Sequence, residues 1–256
     1  MLKFHEIITL LNDFCPLEKA EIDDVVGKQV SLPKNKKIKK VLITLDCNYL
    51  AIEKAIKNQI DLIITHHPLL WPTRRIALKS LDIKSKVEKL RKAKIAVYTM
   101  HTNYDEMYLK TDLIRLILPD GKIDKSQALI TIGKVTENWT MADLLKKLKN
   151  IFGITKCSYY GKLNQKIHKI SLTPGAGGFA LNTINEQKID VLITGEIKWN
   201  HWIKAQELKQ SVIVLGHQME EVFTQKMPFY LKEVLKKENK TLDIETMFHN
   251  SIQKYH

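Results

Sequence analysis

Apolar positions along the 256-residue chain follow two alternating patterns. Compact aliphatic runs occur at Val41-Leu-Ile-Thr-Leu-Asp46, Asp61-Leu-Ile-Ile-Thr65, Ile95-Ala-Val-Tyr-Thr99, Lys169-Ile-Ser-Leu-Thr173, Asp190-Val-Leu-Ile-Thr194 and Val212-Ile-Val-Leu-Gly216. Their length, β-branched content and flanking turn residues predict strands, and two further strands are expected near 129–135 and 156–160. Helical spacing of apolar residues marks the segments between them, at 1–14, 49–57, 83–92, from His101 to Leu116, at 141–150, up to Glu186, after Thr194, and in a long C-terminal stretch. Thr140 followed by Asp143 predicts a capped helix start. Residues 15–40 are expected to be irregular and polar, closing on the basic loop Pro33-Lys-Asn-Lys-Lys37. Strands alternating with helices of this length predict an α/β fold with mixed, mostly parallel sheets.

The polar, turn-rich stretch Pro119-Asp-Gly-Lys-Ile-Asp-Lys-Ser-Gln127 reads as a boundary, giving a first α/β repeat at 1–124 and a second at 125–256. The halves resemble each other. Ile60-Asp-Leu-Ile-Ile-Thr-His-His67 lies over Ile189-Asp-Val-Leu-Ile-Thr-Gly-Glu196. The next strand of each half ends in a histidine with a carboxylate four residues on: His101 with Asp105, and His217 with Glu221. Chance likeness of two βα units is the competing explanation, since apolar strands after Ile-Asp are common. The matched His-to-carboxylate spacing favours duplication.

These residues carry the candidate chemistry. An isolated His66-His67 reads most simply as one buried, hydrogen-bonded histidine and one on the surface. Each His–carboxylate pair taken alone reads as a surface ion pair worth under about 1 kcal/mol. All three junctions, however, fall at the carboxyl ends of strands, where parallel α/β sheets gather ligands. Together they are the inventory of a dinuclear metal centre, with imidazole and carboxylate favouring zinc, iron, manganese or nickel. Glu196 can orient a ligand or transfer a proton, or is an ordinary helix-start carboxylate. Gly175-x-Gly177-Gly178 can present amides to an anion or form a tight turn. His201, Trp199 and Trp202 read as a pocket wall or core, and His5, His168, His249 and His256 as surface or core.

Composition narrows the class. With 44% hydrophobic and 27% charged residues the chain is globular. The N-terminal segment lacks the apolar core of a signal peptide, no run reaches membrane-span length, and Cys15, Cys47 and Cys157 form no C-x-x-C pair. A cytoplasmic, reducing location is expected. The net charge of +13 makes an anionic substrate plausible. Only Arg74, Arg75, Arg91 and Arg115 are arginines among 41 basic residues, and most lysine clusters fall on predicted helices, so nucleic acid is not the favoured partner.

Ile-Ile-Thr-His66-His67-Pro, Val97-Tyr-Thr-Met-His101-Thr-Asn-Tyr-Asp105, Asp190-x-x-x-Thr-Gly-Glu196 and Gly216-His217-x-x-x-Glu221 together resemble the NIF-three-like (NGG-one-interacting-factor-three-like) family, whose bacterial members are labelled GTP cyclohydrolase 1 type 2 homologues. The resemblance implies two intertwined, similar α/β repeats with a dinuclear site in the crevice between them, two divalent ions per chain, and a homohexameric ring. It implies His67 and Asp105 on one metal, His66 and His217 on the other, and Glu221 bridging. It implies His101 as a nearby site histidine with an acid–base role, and in a hydrolase His101 or Glu196 would move protons. The implied activity is a hydrolase in which metal-activated water attacks a nucleotide or related heterocycle, as in GTP ring opening with formate release. A non-catalytic metal-binding scaffold or regulator is the alternative, and a nucleic-acid-binding ring a lesser one. Two departures stand out: Ile22-Asp-Asp-Val-Val-Gly27 replaces a Trp-Asp-Asn-x-Gly-Leu-type segment, and Asn200 stands where a histidine is usual.

Overall fold

The computed structural model describes residues 2–249, apart from the side chains of residues 125 and 126. In chain order the elements are β1 (Leu2–Lys3), α1 (Phe4–Phe14), β2 (Gly27–Val30), β3 (Lys37–Ile38), β4 (Lys40–Thr44), α2 (Tyr49–Lys57), β5 (Leu62–Thr65), α3 (Arg74–Ala77), α4 (Leu81–Lys92), β6 (Ala96–Thr99), α5 (Thr102–Tyr104) and α6 (Lys110–Ile117). A π-helical segment, Asp105–Leu109, joins the last two. There follow β7 (Lys122–Gln127), β8 (Ile130–Thr140), α7 (Met141–Phe152), β9 (Ser158–Tyr160), β10 (Lys166–Ala176), α8 (Leu181–Glu186), β11 (Val191–Glu196), α9 (Trp199–Glu207), β12 (Ser211–Val214), α10 (Val222–Lys237) and β13 (Asp243–Met247).

The chain divides into two compact units: residues 2–107 with 223–249, and residues 108–222. The first holds a five-stranded sheet ordered β13-β4-β5-β6-β2, in which all pairings are parallel except that of β2 with β6. The second holds a six-stranded sheet ordered β7-β8-β10-β11-β12-β9, parallel only across β10-β11-β12. The architecture is mixed α/β as the periodicity predicts, but the expected mostly parallel pairing holds for the first sheet alone, since β7, β8 and β9 join the second sheet antiparallel. Every residue of β5 and β6 is buried, as expected for parallel strands with both faces covered. In the first unit Leu42, Ile52, Ile63, Leu90 and Val97 share a core with Leu70 and Val87. In the second, Leu181, Ile184, Leu192 and Val212 do so with Ile132 and Ala205. Among the described residues no helix is long and apolar enough to cross a membrane.

Three segments differ from expectation. Residues 15–40 hold β2 and β3, strands too short and lysine-rich to register in a window of apolar periodicity. Residues 119–127 include β7, an edge strand whose charges suit a position at the margin of a sheet. The contact boundary accordingly lies at 107/108 rather than near 124. The C-terminal α10 and β13 belong with the first unit, because β13 pairs in register with β4 from Asp243–Lys40 to Met247–Thr44.

One local device occurs in each unit. At the foot of β5, Asp61 Oδ2 accepts the amides of Lys39 and Lys40 at 2.8 and 3.2 Å. At the foot of β11, Asp190 Oδ2 accepts those of His168 and Lys169, both at 2.7 Å. Two residues earlier the chain turns through a left-handed residue, Gln59 at φ 56° and Lys188 at φ 53°. A carboxylate thus pins the start of the neighbouring parallel strand in both cases.

Candidate metal centre

In the first unit, β5 ends at Thr65, and the amides of His66 and His67 both donate to the carbonyl of Leu45, at 3.2 and 3.0 Å. That shared acceptor bends the chain at the strand's carboxyl end and sends the two imidazoles in different directions. The His66 ring is fully buried against Tyr104 and Phe223, and its Nδ1 donates to the carbonyl of Met100 at 2.8 Å. His67 Nδ1 lies 2.9 Å from Asp46 Oδ1. His101 Nδ1 lies 2.9 and 3.0 Å from the two oxygens of Asp24. In all three rings Nδ1 meets an oxygen acceptor, which sets the tautomer that carries its lone pair on Nε2. This is the arrangement by which carboxylates and carbonyls orient metal-ligating histidines. A ring nitrogen from each of His66, His67 and His101 falls within 4.8 Å of the others.

Asp105 adds a carboxylate beside His66. Its carboxylate is buried, its Oδ1 accepts no hydrogen bond, and that oxygen faces His66 Nε2 at 3.3 Å. A buried carboxylate oxygen left in this way costs on the order of 1–3 kcal/mol or more unless a cation meets it. Imidazole nitrogens with a buried carboxylate are also the donor set that borderline divalent ions take, so the residues fit a metal. The π-helical turn that begins at Asp105 re-aims this side chain. The expected His101–Asp105 pair does not form. His101 has a non-helical backbone (φ −112°, ψ −110°) and turns to Asp24, leaving Asp105 to His66.

Asp24 accepts from His101 Nδ1, from both the amide and the hydroxyl of Thr102, and from the amide of Val25. Burial opposes its ionisation, but the His101 and Thr102 hydrogen bonds and the His101 charge outweigh it and hold its pKa down at about 2. At Asp46 burial is likewise outweighed by His67, and the carboxyl sits below its ordinary range. Trp71, 55% exposed, stands edge-on to His101 with ring centroids 6.1 Å apart.

In the second unit the segment His217–Glu221 is a 3-10 helix, in which side chains three apart align. His217 Nε2 therefore pairs with Glu220 Oε2 at 3.0 Å, while its Nδ1 lies 3.5 Å from Glu196 Oε2. The sequence spacing singled out Glu221, which is half-buried one position on. Glu220, 2% exposed, is the carboxylate on the His217 ring, and a β-carbon at Gly175 would stand 2.9 Å from its Oε1. The glycine-rich turn is a tight turn: the Gly177 amide donates to Thr194 Oγ1, which donates in turn to the Gly175 carbonyl. His201 lies on that turn, where a β-carbon at Gly178 would come within 1.9 Å of its Nδ1. Trp199 is 77% exposed and belongs to no core.

Asp24, Asp46 and Glu220 were not singled out from the sequence. Asp46 had a signal, since it stands at the carboxyl end of β4 just as His66 does at that of β5. Asp24 lay in a stretch with no periodicity. His249, given no role by its neighbours in sequence, reaches Thr44 Oγ1 at 3.0 Å and accepts the Asp46 amide at 3.2 Å. His256 lies outside the described residues.

The profile of the Duf34/NIF3 (NGG1p interacting factor 3) family matches residues 2–254. The chain belongs to that family. A Duf34/NIF3 relative from Clostridium perfringens, called a GTP cyclohydrolase 1 type 2 homolog, is 27% identical over 96% of this chain and 95% of its own. Among solved structures, a Staphylococcus aureus hypothetical protein superposes with a TM-score of 0.89 at 22% identity, covering 99% of each chain. A Bacillus cereus protein related to NIF3 gives 0.88 at 19% identity, covering 100% of this chain and 99% of its own. At those identities the structural likeness bears on the fold alone.

Proposed function

We propose that this Duf34/NIF3 chain is a dinuclear metal-dependent hydrolase that acts on a nucleotide or related heterocycle. The single observation that supports the reading is the first-unit cluster: three imidazoles within reach of one another, each oriented through Nδ1 by an oxygen, with a buried carboxylate oxygen that accepts no hydrogen bond beside that of His66. In this reading His67 and Asp105 would hold one divalent ion and His66 and His217 the other, with Glu221 as the fifth residue available to them. Asp46 and Asp24 fix the His67 and His101 rings, and Glu220 fixes that of His217. Two such ions supply Lewis acidity and lower the pKa of a water at the reacting carbon. His101, its ring held through Nδ1 by Asp24, takes a proton and returns it to the leaving nitrogen. Glu196 is the second proton carrier. Trp71 offers a flat apolar surface on which a heterocycle stacks above His101. We infer further that the two units are repeats of one βα arrangement, as their shared Asp61 and Asp190 device supports, and that the chain assembles as a homohexameric ring.

GTP is the first substrate to test, since relatives carry a GTP cyclohydrolase name. Protein purified without added metal is analysed for metal content, then reloaded with zinc, iron, manganese or nickel and assayed for formate release. Two equivalents of metal per chain, turnover, and its loss in Glu221→Gln are expected. Metal occupancy without turnover on any nucleotide of a panel points instead to a non-catalytic scaffold. Absence of metal binding refutes the site.

A further inference from the structure

The opposite end of the first unit's sheet carries a feature that the metal reading does not use. A cleft of about 800 Å³ opens at the amino-terminal edge of β4, β5 and β6, lined by Lys36, Lys37, Lys39, Lys40 and Lys94. Asp61 is its one acidic residue. That carboxylate is already engaged, with Lys36 Nζ at 3.1 Å on one oxygen and two backbone amides on the other. Lys37, Lys39 and Lys94 are exposed and enter no ion pair among the described residues. Ile38, fully buried between Lys37 and Lys39, fixes both lysines on the open side. Next to the cleft, the Asp243 amide donates to the Lys39 carbonyl at 2.9 Å. There a second hollow, lined by Lys232, Lys236 and Lys240, continues the positive edge.

We propose that this cleft binds the phosphodiester backbone of double-stranded nucleic acid, reading charge and not base sequence. Concave walls of one sign focus the field and concentrate a polyanion where a convex lysine face does not. The cations of the lining are all lysines, without the arginine forks that recognise base edges, and it has no aromatic rings on which unpaired bases stack. It also lacks the buried aromatic or arginine anchor that a protein partner of comparable affinity would need. Four of the five lysines come from a single short stretch, residues 36–40, which the carboxylate of Asp61 holds against the sheet. The groups are therefore held in place before the ligand arrives.

The test is fluorescence anisotropy of a labelled 20-base-pair duplex, titrated with full-length protein across a range of salt concentrations. The wild type should bind at about 50 mM salt with a steep negative log–log slope, equally for duplexes of unrelated sequence. Lys37→Glu/Lys39→Glu/Lys94→Glu should weaken binding more than about tenfold and flatten the slope by about 3. A control of equal charge change on exposed lysines elsewhere, Lys84→Glu/Lys146→Glu/Lys162→Glu, should retain most of the affinity. Circular dichroism checks that both variants are folded. The proposal is overturned if the wild type does not bind at low salt, if the two triple variants weaken equally, or if polyglutamate competes as well as unlabelled duplex. Metal content is the same in every arm, so neither outcome bears on the metal centre.

Discussion

Asp24→Asn isolates the electrostatic part of the His101 support while leaving its shape unchanged. In the wild type two carboxylate oxygens accept from four donors: the His101 ring, the Thr102 amide, the Thr102 hydroxyl and the Val25 amide. The Thr102 hydroxyl cannot turn away without loss, because its oxygen also accepts the Glu21 amide at 2.9 Å. Asparagine offers one oxygen and sets an amide group against donors at the other position. The side chain is 3% exposed, so water does not make up the difference. Hydrogen bonds to a charged group are worth about 1.5–3 kcal/mol each, and confronting a donor with a donor adds to the loss. A net cost of about 3 kcal/mol at neutral pH follows. In a chain of this size that lowers Tm by about 6–12 °C. The pH dependence supplies a second readout. The folded-state pKa of about 2 lies below the ordinary 3.8, so the stabilisation is complete above the ordinary value and is lost as pH falls from there towards 2. Its size is about 2 kcal/mol. Scanning calorimetry of both proteins between pH 2 and 7 should show the gap closing at the acid end. An Asp24→Asn protein that melts within about 1 °C of wild type at pH 7, or a gap unchanged at pH 2, refutes the assignment.

Two further predictions follow from the same geometry. Asp46→Asn should weaken metal affinity about 10- to 100-fold with little change in far-UV circular dichroism, as read by competition with a chromogenic chelator; unchanged affinity would mean that Asp46 does not orient His67. Gly178→Ala should cost about 1–3 kcal/mol through the clash with His201. Adding His201→Ala should recover most of that loss in denaturant unfolding, and two strictly additive losses would show that the ring does not fill this space.

The elements that the sequence announced most clearly are those whose residues answer to one constraint. The runs Leu62-Ile-Ile64 and Val191-Leu-Ile193 are buried throughout and uniformly apolar. Thr140 and Asp143 form the expected capping box, a device complete within four residues. The candidate histidines His66, His67, His101 and His217 could be singled out for a similar reason, since each stands just beyond the end of a strand. The residues that orient them were not. Asp24 reaches His101 across 77 positions of sequence and Asp46 reaches His67 across 21, distances over which no local spacing is preserved. Glu220 carries no signal at α-helical spacing from His217, because the segment His217–Glu221 winds as a 3-10 helix. β13 escaped notice because its partially exposed residues carry acids and threonine, and only its pairing with β4 makes it a strand.

That pairing governs the order in which the molecule can be made. β4, which leads into Asp46, has one neighbour, β5, until the last segment of the chain joins it as β13. During synthesis at about 5–20 residues per second, the first 107 residues wait several seconds for the closing strand while the whole second unit emerges. Throughout that interval β4 presents the unpaired edge that other chains pair with most readily. A message truncated between Glu221 and Asp243 would yield a protein bearing every candidate metal ligand and lacking the strand that covers this edge.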